Sequence, residues 1–395
     1  MGTQERIKNL SKEFLNSIID IRRHIHANPE LSYKEFKTAD YVTAVLSKMG
    51  LTVSRLAGTG LVVNLQGRET GKTIALRADM DALPIEEKND VAYKSKNTGV
   101  MHACGHDAHT ASLIGAAMIL NELKQEWEGT IKLIFQPGEE KLPGGASIMI
   151  KEGVLENPVP ETIIAQHVFP TLEAGKVGFY SGAYMASCDE IYLTVKGKGG
   201  HAAMPATYIN PILIASEILL ELNNKFMKNP TNEIPTVLAF GKVQANGATN
   251  VIPQEVFIEG TFRTMNEEWR NEAHTLIRNI ITTKAQEMGC SCDVRIDIGY
   301  PVLINNHDIT TNAQKVAEEY LGKDNVIALE KRMTSEDFAF YSLLKPACFY
   351  RLGTANAARG ITSGVHTATF DIDEKALEIG MGLMASIAIN ALKKK

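Results

Sequence analysis

The sequence predicts an α/β protein: a mixed, largely parallel sheet flanked by helices, interrupted by an inserted ferredoxin-like α+β domain. Three observations carry this. Short apolar runs (TIALRA, IKLIF, TIIA) alternate with amphipathic stretches in the first half of the chain, the pattern of an α/β layer. From Cys188 the order becomes β-α-β-β-α-β over just over a hundred residues, enough for a small independent domain. Helix–strand alternation then resumes and runs to the C-terminus, so the middle is an insertion. The expected division is residues 1–185 and 303–395 for one discontinuous domain and 186–302 for the insert. A chain of 395 residues exceeds one ordinary core in any case.

Taken in order, residues 4–27 form a first helix, with Ile7, Leu10, Phe14, Ile18 and Ile21 on one face; Asn28-Pro29 ends it. Residues 33–49 form a second, with Gly50 suited to its C′ position. Strands at 51–56 and 61–65 flank the Gly58-Thr59-Gly60 turn, and short buried strands follow at 73–78, 131–135 and 162–165. Between them Ala111, Leu113, Ile114, Ala117, Met118 and Leu120 recur with a period near 3.6, a helix for which Asp107 is the expected N-cap. The insert reads as strand 190–196, helix 209–222, strands 236–243 and 256–264, helix 267–288 and strand 293–298. Helix 308–321, strand 347–352 and helix 374–392 complete the chain, with Lys393–Lys395 complementing the negative end of the last helix.

Composition narrows the function. The chain is 44% hydrophobic and 22% charged, as expected of a globular protein. A net charge of −5 gives no electrostatic reason to bind nucleic acid. No apolar run approaches the roughly 18 residues that would span a membrane, and MGTQERIKNLSKEF has no apolar signal core. The five cysteines, at 104, 188, 290, 292 and 348, do not form a disulfide framework and point to a reducing, cytoplasmic setting.

The chemistry concentrates in Met-His-Ala-Cys-Gly-His-Asp-Ala-His, residues 101–109. Three of ten histidines and one of five cysteines fall within it. Cys104 and His106 offer a soft and a borderline metal ligand on one turn, and a helix N-terminus favours the thiolate. Asp79 and Asp81 follow TIALRA, Glu139 and Glu140 follow IKLIFQ-Pro-Gly, and His167 follows TIIAQ. Polar groups at the carboxyl ends of separate strands meet at the sheet edge where α/β proteins build sites. With His366 in Gly-Val-His-Thr, the set holds one thiolate, three imidazoles and a carboxylate. That exceeds a closed tetrahedral zinc and suits two metals that activate a water and polarise a carbonyl or phosphoryl oxygen. Of two adjacent glutamates, one can bind metal while the other moves protons, although Glu-Glu alone is ordinarily a solvated loop. His102 and His109 exceed the ligands needed, Cys290 and Cys292 are expected to be a poor chelating pair, and Cys188 and Cys348 suit small buried positions.

HACGHDAHTA, FQPGEE, QHV, KGKGGHAAMP, TNVIP, GTFR and the late Gly-Val-His occur in that order between about Arg22 and Asp373. Together they resemble the M20 family of metallopeptidases, most of all its amidohydrolase branch of aminoacylase-like, hippurate hydrolase-like and auxin-conjugate hydrolase-like enzymes. The resemblance implies two divalent metals bound by Cys104, His106, Glu140, His167 and His366, with zinc, manganese, cobalt and nickel all admissible. It implies Glu139 as general base, Cys104 as the bridging ligand and Asp81 as the partner that orients a histidine. It implies that the insert is a lid and dimerisation domain of a homodimer or higher homo-oligomer. There His201 would reach the partner subunit's active site and stabilise the oxyanion, while Asn250 and Arg263 would hold the substrate's carboxylate. Without the resemblance, a strand-end salt bridge is the better expectation for Arg263. The activity implied is hydrolysis of N-acyl amino acids to a carboxylic acid and a free amino acid. A dipeptidase or carboxypeptidase of the same family is the alternative, and a non-catalytic binding protein retaining the fold a more distant one.

Overall fold

Strands too apolar to face water on either side are buried along their whole length in this fold. In the computed structural model, which describes residues 2–228 and 230–393, the chain runs α1 (Thr3–Ala27), α2 (Phe36–Lys48), β1 (Val53–Leu56), β2 (Gly60–Gln66), β3 (Thr73–Asp79), α3 (His106–Glu122), β4 (Thr130–Gln136), α4 (Gly145–Lys151), β5 (Thr162–Glu173) and β6 (Val177–Phe179). It continues through β7 (Gly182–Met185), β8 (Asp189–Lys196), β9 (Gly200–His201), α5 (Pro211–Asn223), β10 (Thr236–Gln244), β11 (Val251–Ile252), β12 (Glu255–Thr264), α6 (Glu267–Glu287) and β13 (Ser291–Ile298). It ends with β14 (Leu303–Asn305), α7 (His307–Leu321), β15 (Val326–Ala328), α8 (Ala339–Leu344), β16 (Ala347–Ala355) and α9 (Ala376–Leu392). Lys394 and Lys395 lie outside the described residues.

Two compact units emerge. The first comprises Met1–Gly182, Ile304–Glu330 and Asp337–Lys395; the second comprises Ala183–Leu303 and Lys331–Glu336. The six residues 331–336 belong with the second unit, whereas the sequence assigned them to the first. Their backbone explains why: Arg332 N donates to Tyr184 O at 2.9 Å, and Ala186 N donates to Arg332 O and Thr334 O at 3.1 Å.

The first unit holds an eight-stranded sheet in the order β1-β2-β4-β3-β5-β16-β6-β15. Its centre is parallel, with β4, β3, β5 and β16 side by side, and the pairs β1–β2, β2–β4 and β16–β6 are antiparallel. The sheet is therefore mixed and largely parallel. Strands β3 and β4 are buried along their whole length, as expected of strands covered on both faces. Helices α3 and α9 are buried almost all round, and their apolar composition on every face matches a central position. Strand β5 runs on to Glu173, past the four residues expected from sequence, because β16 continues to pair with it through His167↔Arg351 and Phe169↔Gly353. His167 therefore sits within a strand rather than after one. The strands β6 and β15 and the short helices α4 and α8 were not expected; three to seven residues carry too little periodicity to read.

The second unit has a four-stranded antiparallel sheet ordered β10-β12-β8-β13, with α5 and α6 between its strands in sequence. Asn210 and Asn266 cap these helices, accepting from Ile212 N and Trp269 N. Ile191, Leu193, Val195, Ile218, Phe262 and Ile277 form its own core. The alternate residues Glu190, Tyr192, Thr261 and Arg263 remain partly or fully exposed on the opposite side, as period-two alternation requires.

Candidate metal centre

Gly105 decides how the cysteine–histidine turn is built. It occupies the N-cap position of α3 with φ +86°, a left-handed conformation that glycine adopts without penalty. A Cβ there would also lie 2.6 Å from Val168 Cγ2. Asp107 is consequently not the N-cap expected from sequence but lies in the first turn. Its Oδ2 instead accepts from the buried Arg22 Nε at 2.6 Å and from His26 Nδ1 at 2.8 Å. Burial opposes ionisation of Asp107, but Arg22 and His26 hold its carboxyl far below the usual range.

Asp81 joins this turn to the double-glutamate loop. His106 Nδ1 donates to Asp81 O at 2.9 Å and to Asp81 Oδ1 at 3.1 Å. Asp81 Oδ2 accepts from Ser32 Oγ at 2.6 Å and from Glu140 N at 3.0 Å. With Nδ1 used as a donor, His106 presents the Nε2 lone pair to the site. The loop itself turns at Gly138, φ +58°, whose N–H donates to the buried Glu35 Oε1 at 2.8 Å. A side chain on Gly138 would meet the Tyr33 ring at 2.3 Å. The late loop is tied in by His366 N, which donates to Ala103 O at 2.7 Å; His366 has φ +62°, an uncommon conformation for a non-glycine residue and one that clusters at functional sites.

These loops bring the expected donors together. Donor atoms of Cys104, His106 and His167 all lie within 4.8 Å of one another, and so do those of Cys104, Glu140 and His366 and those of His106, Glu139 and Glu140. Cys104 Sγ is 3.4 Å from His167 Nε2, and Glu140 Oε1 is 3.1 Å from His366 Nε2 and 3.9 Å from His106 Nε2. His106 Nε2 and Glu140 Oε1 are buried with no hydrogen-bond partner outside this cluster, so the other candidate ligands are their neighbours.

The field favours positive charge. Burial alone would push His106 down, but Asp79, Cys104 and Asp81 hold it well above the usual imidazole range. Hydrogen bonds to Cys104 and Glu140 raise His366 to about 10. Burial and the Glu140 carboxylate push the Cys104 thiol up. His167 goes the other way, pushed well below the usual imidazole range by burial and Arg351; what fits a metal centre is the convergence of thiol, imidazole and carboxylate donors. A further grouping, Asp79 with His106 and His109, does not fit. His109 Nδ1 is taken by Asp79 Oδ1 at 2.6 Å and its Nε2 accepts from Val168 N at 2.8 Å, which leaves no lone pair for a metal. His102 is buried in none of these donor groups, both ring nitrogens lack a hydrogen bond, and burial pushes it down to about 3.

The residues singled out in the insert belong to the second unit. His201 pairs with Val251 between β9 and β11, and Ala202 N donates to Asn250 O at 3.0 Å, so His201 and Asn250 are neighbours. His201 is exposed, its Nδ1 accepting from Ala203 N at 3.1 Å. Arg263 donates to Met333 O at 3.2 Å and forms no ion pair among the described residues, against the strand-end salt bridge that its position alone suggests. Arg77, Asp337 and Glu35 were missed. An arginine inside the apolar strand TIALRAD was a readable signal, since buried charge demands partners; Glu35 carried none.

The model of peptidase family M20/M25/M40 matches residues 75–390. The chain belongs to this family. Among its M20 relatives, it is 36% identical over 398 residues to thermostable carboxypeptidase 2 of Saccharolobus solfataricus, covering 100% of both chains. It is 41% identical to the N-acyl-L-amino acid amidohydrolase of Geobacillus stearothermophilus, over 77% of this chain and 82% of that one. Among solved M20 structures, a dinuclear metal-binding peptidase of Bacillus subtilis superposes with a TM-score of 0.84 at 34% identity, covering 96% of this chain and 99% of that one.

Proposed function

We propose that this M20 hydrolase uses two divalent metal ions to cleave the amide bond of N-acyl amino acids, releasing a carboxylic acid and a free amino acid. The observation that carries this is the double membership of Cys104. Its sulfur lies within 4.8 Å of the donor atoms of His106 and His167 on one hand and of Glu140 and His366 on the other, so Cys104 would help hold both ions. When bound, the pair supplies Lewis acidity for a water nucleophile and for the amide carbonyl. Glu139, buried beside His106 and Glu140, takes the proton of the attacking water and returns it to the leaving nitrogen. Its carboxylate is restored once the carbon–nitrogen bond has broken. Asp81 keeps His106 in the tautomer that offers Nε2.

The insert, residues 186–302 by the sequence division, acts as the lid and dimerisation domain. Arg263 and Asn250 hold the substrate's carboxylate; the absence of an ion pair on Arg263 supports this, because a guanidinium without a carboxylate partner suits a bidentate anionic ligand. His201 donates to the developing oxyanion in the partner subunit's site. A homodimer is supported by the exposed apolar residues Ile212, Leu213 and Leu220 on α5 and by β10, an unpaired edge of the four-stranded sheet, both of which a second copy would cover. No helix among the described residues is long and apolar enough to cross a membrane, and all five cysteines are free, which supports a cytoplasmic enzyme. Carboxypeptidase activity is the second reading, favoured by the full-length similarity to the Saccharolobus protein.

Two comparisons test this. Glu139→Gln should lower kcat by about 10²–10⁴-fold with metal content unchanged; a variant that keeps most of its turnover removes Glu139 as the base. N-acetyl and N-benzoyl amino acids should be cut in preference to dipeptides and peptide C-termini, and the reverse preference selects the carboxypeptidase.

A further inference from the structure

His167 cannot aim itself. Its Nδ1 donates to the carbonyl oxygen of the next residue, Val168, at 2.7 Å, so the Val168 peptide sets where the ring points. The ladder between β3 and β5 stops at Arg77↔Ala165, short of Val168. The Val168 N–H is instead accepted by His109 Nε2 at 2.8 Å. A backbone N–H always donates, so Nε2 is the acceptor and Nδ1 carries the proton, given to Asp79 Oδ1 at 2.6 Å. Burial pushes His109 below the usual imidazole range, consistent with this neutral tautomer.

The chain of contacts continues behind Asp79. Arg77 Nη1 donates to Asp79 Oδ2 at 2.6 Å, its Nη2 to Asp337 Oδ1 at 2.7 Å and its Nε to Gln136 Oε1 at 2.9 Å. Asp337 also accepts from Gln136 Nε2 at 2.8 Å and from Ala146 N at 3.0 Å. Gln136 and Ala146 are the two ends of the loop that carries Glu139 and Glu140. Arg77, Asp79, His109, Gln136 and Asp337 are each at most 1% exposed.

We infer that Arg77, Asp79 and His109 form a buried positioning relay that fixes the direction of His167 and so sets how tightly the centre holds one of its two metal ions. Stability alone does not account for the arrangement, because a buried ion pair is commonly no more stabilising than apolar residues of the same volume. A simple packing role would also not need His109 to be donor on one nitrogen and acceptor on the other. The relay links a strand ligand to the loop of the general base through buried side chains outside the proposed ligand set. Partners of this kind to a ligating histidine typically govern metal affinity.

The inference rests on His167 being a ligand, so the test carries that control. Purified apo-protein is titrated with zinc against a chelating indicator, and the unfolding midpoint of each apo-protein is recorded. His167→Ala should lose one zinc equivalent. His109→Leu, which removes both hydrogen bonds, should weaken that same equivalent by about 10–100-fold and leave the other unchanged. His109→Gln, whose Oε1 can still accept from Val168 N, should recover most of the affinity. Asp79→Asn should weaken the same equivalent even if His109→Leu does not fold. The relay is overturned if His109→Leu and Asp79→Asn bind both equivalents as the wild type does, if Gln and Leu at 109 lose affinity equally, or if affinity merely follows the apo-protein's midpoint. If His167→Ala keeps both equivalents, the ligand assignment fails and the relay fails with it.

Discussion

Each unit of the molecule buries an arginine against aspartate, and the two networks do different work. In the first unit Arg77 lies between Asp79 and Asp337, three hydrogen bonds from Val168, whose carbonyl in turn accepts from His167. In the second, Arg270 and His274 converge on Asp189, with Nε at 2.9 Å and His274 Nε2 at 2.7 Å, and Gly299 N closes the network at 3.1 Å. Asp189 opens β8, and Arg270 and His274 lie one turn apart on α6, so this network pins a helix to a strand end. The chemistry is the same, but the neighbours differ: candidate metal-ligand groups lie beside one network, and among the described residues none lies beside the other. A buried charge is a sign of function only when the groups it orients have chemistry of their own.

The sharpest way to break this contrast is Asp189→Asn. Leaving the buried Arg270 with Glu267 as its remaining charge partner should lower the unfolding midpoint of the insert, by less than the roughly 3–5 kcal/mol of a wholly unpaired buried charge, while zinc stoichiometry stays at the wild-type value. Loss of zinc would show that the second network also serves the centre. Gly105→Ala should come next. A left-handed alanine costs about 1–2 kcal/mol, and the contact with Val168 adds overpacking of about 1–3 kcal/mol. Because Gly105 lies between Cys104 and His106, this variant, unlike Asp189→Asn, should lose zinc as well as stability. A wild-type zinc titration would contradict the role given to the turn.

Acid sharpens the same comparison with a smaller effect. Burial opposes ionisation of Asp189, but His274 and Arg270 outweigh it and hold the carboxyl below its ordinary 3.8. A carboxyl lowered in the folded state contributes stability that is complete above the unfolded value and is lost as pH falls through the folded one. The insert should therefore keep its midpoint at neutral pH and lose stability below about pH 3.8, and Asp189→Asn should flatten that loss. An unchanged acid slope in the variant would assign acid unfolding to other groups.

How much the sequence disclosed follows from where each residue sits. Cys104, His106, Glu140 and His366 were legible because ligand types cluster in short motifs, and because strand ends are where such sites form. The central sheet was legible because β3, β4 and the start of β5 are apolar on both faces. Asp107 was misplaced because cap preference ranks Asp above Gly, whereas the left-handed turn and Arg22 are tertiary facts. The relay was invisible for the same reason: Arg77 and Asp337 are 260 residues apart, and no local pattern links them. His201, Asn250 and Arg263 were singled out only through resemblance, because single polar residues on turns and strands carry no periodicity.

The most direct test is a zinc titration of the apo-protein followed by elemental analysis, for the wild type and for Cys104→Ala. Two equivalents per chain are predicted for the wild type, and both should weaken together in the variant, because one sulfur is common to the donor group with His106 and His167 and to the one with Glu140 and His366. A wild type that binds a single equivalent, or a Cys104→Ala protein that still holds two at wild-type affinity, would contradict a two-metal centre built around Cys104.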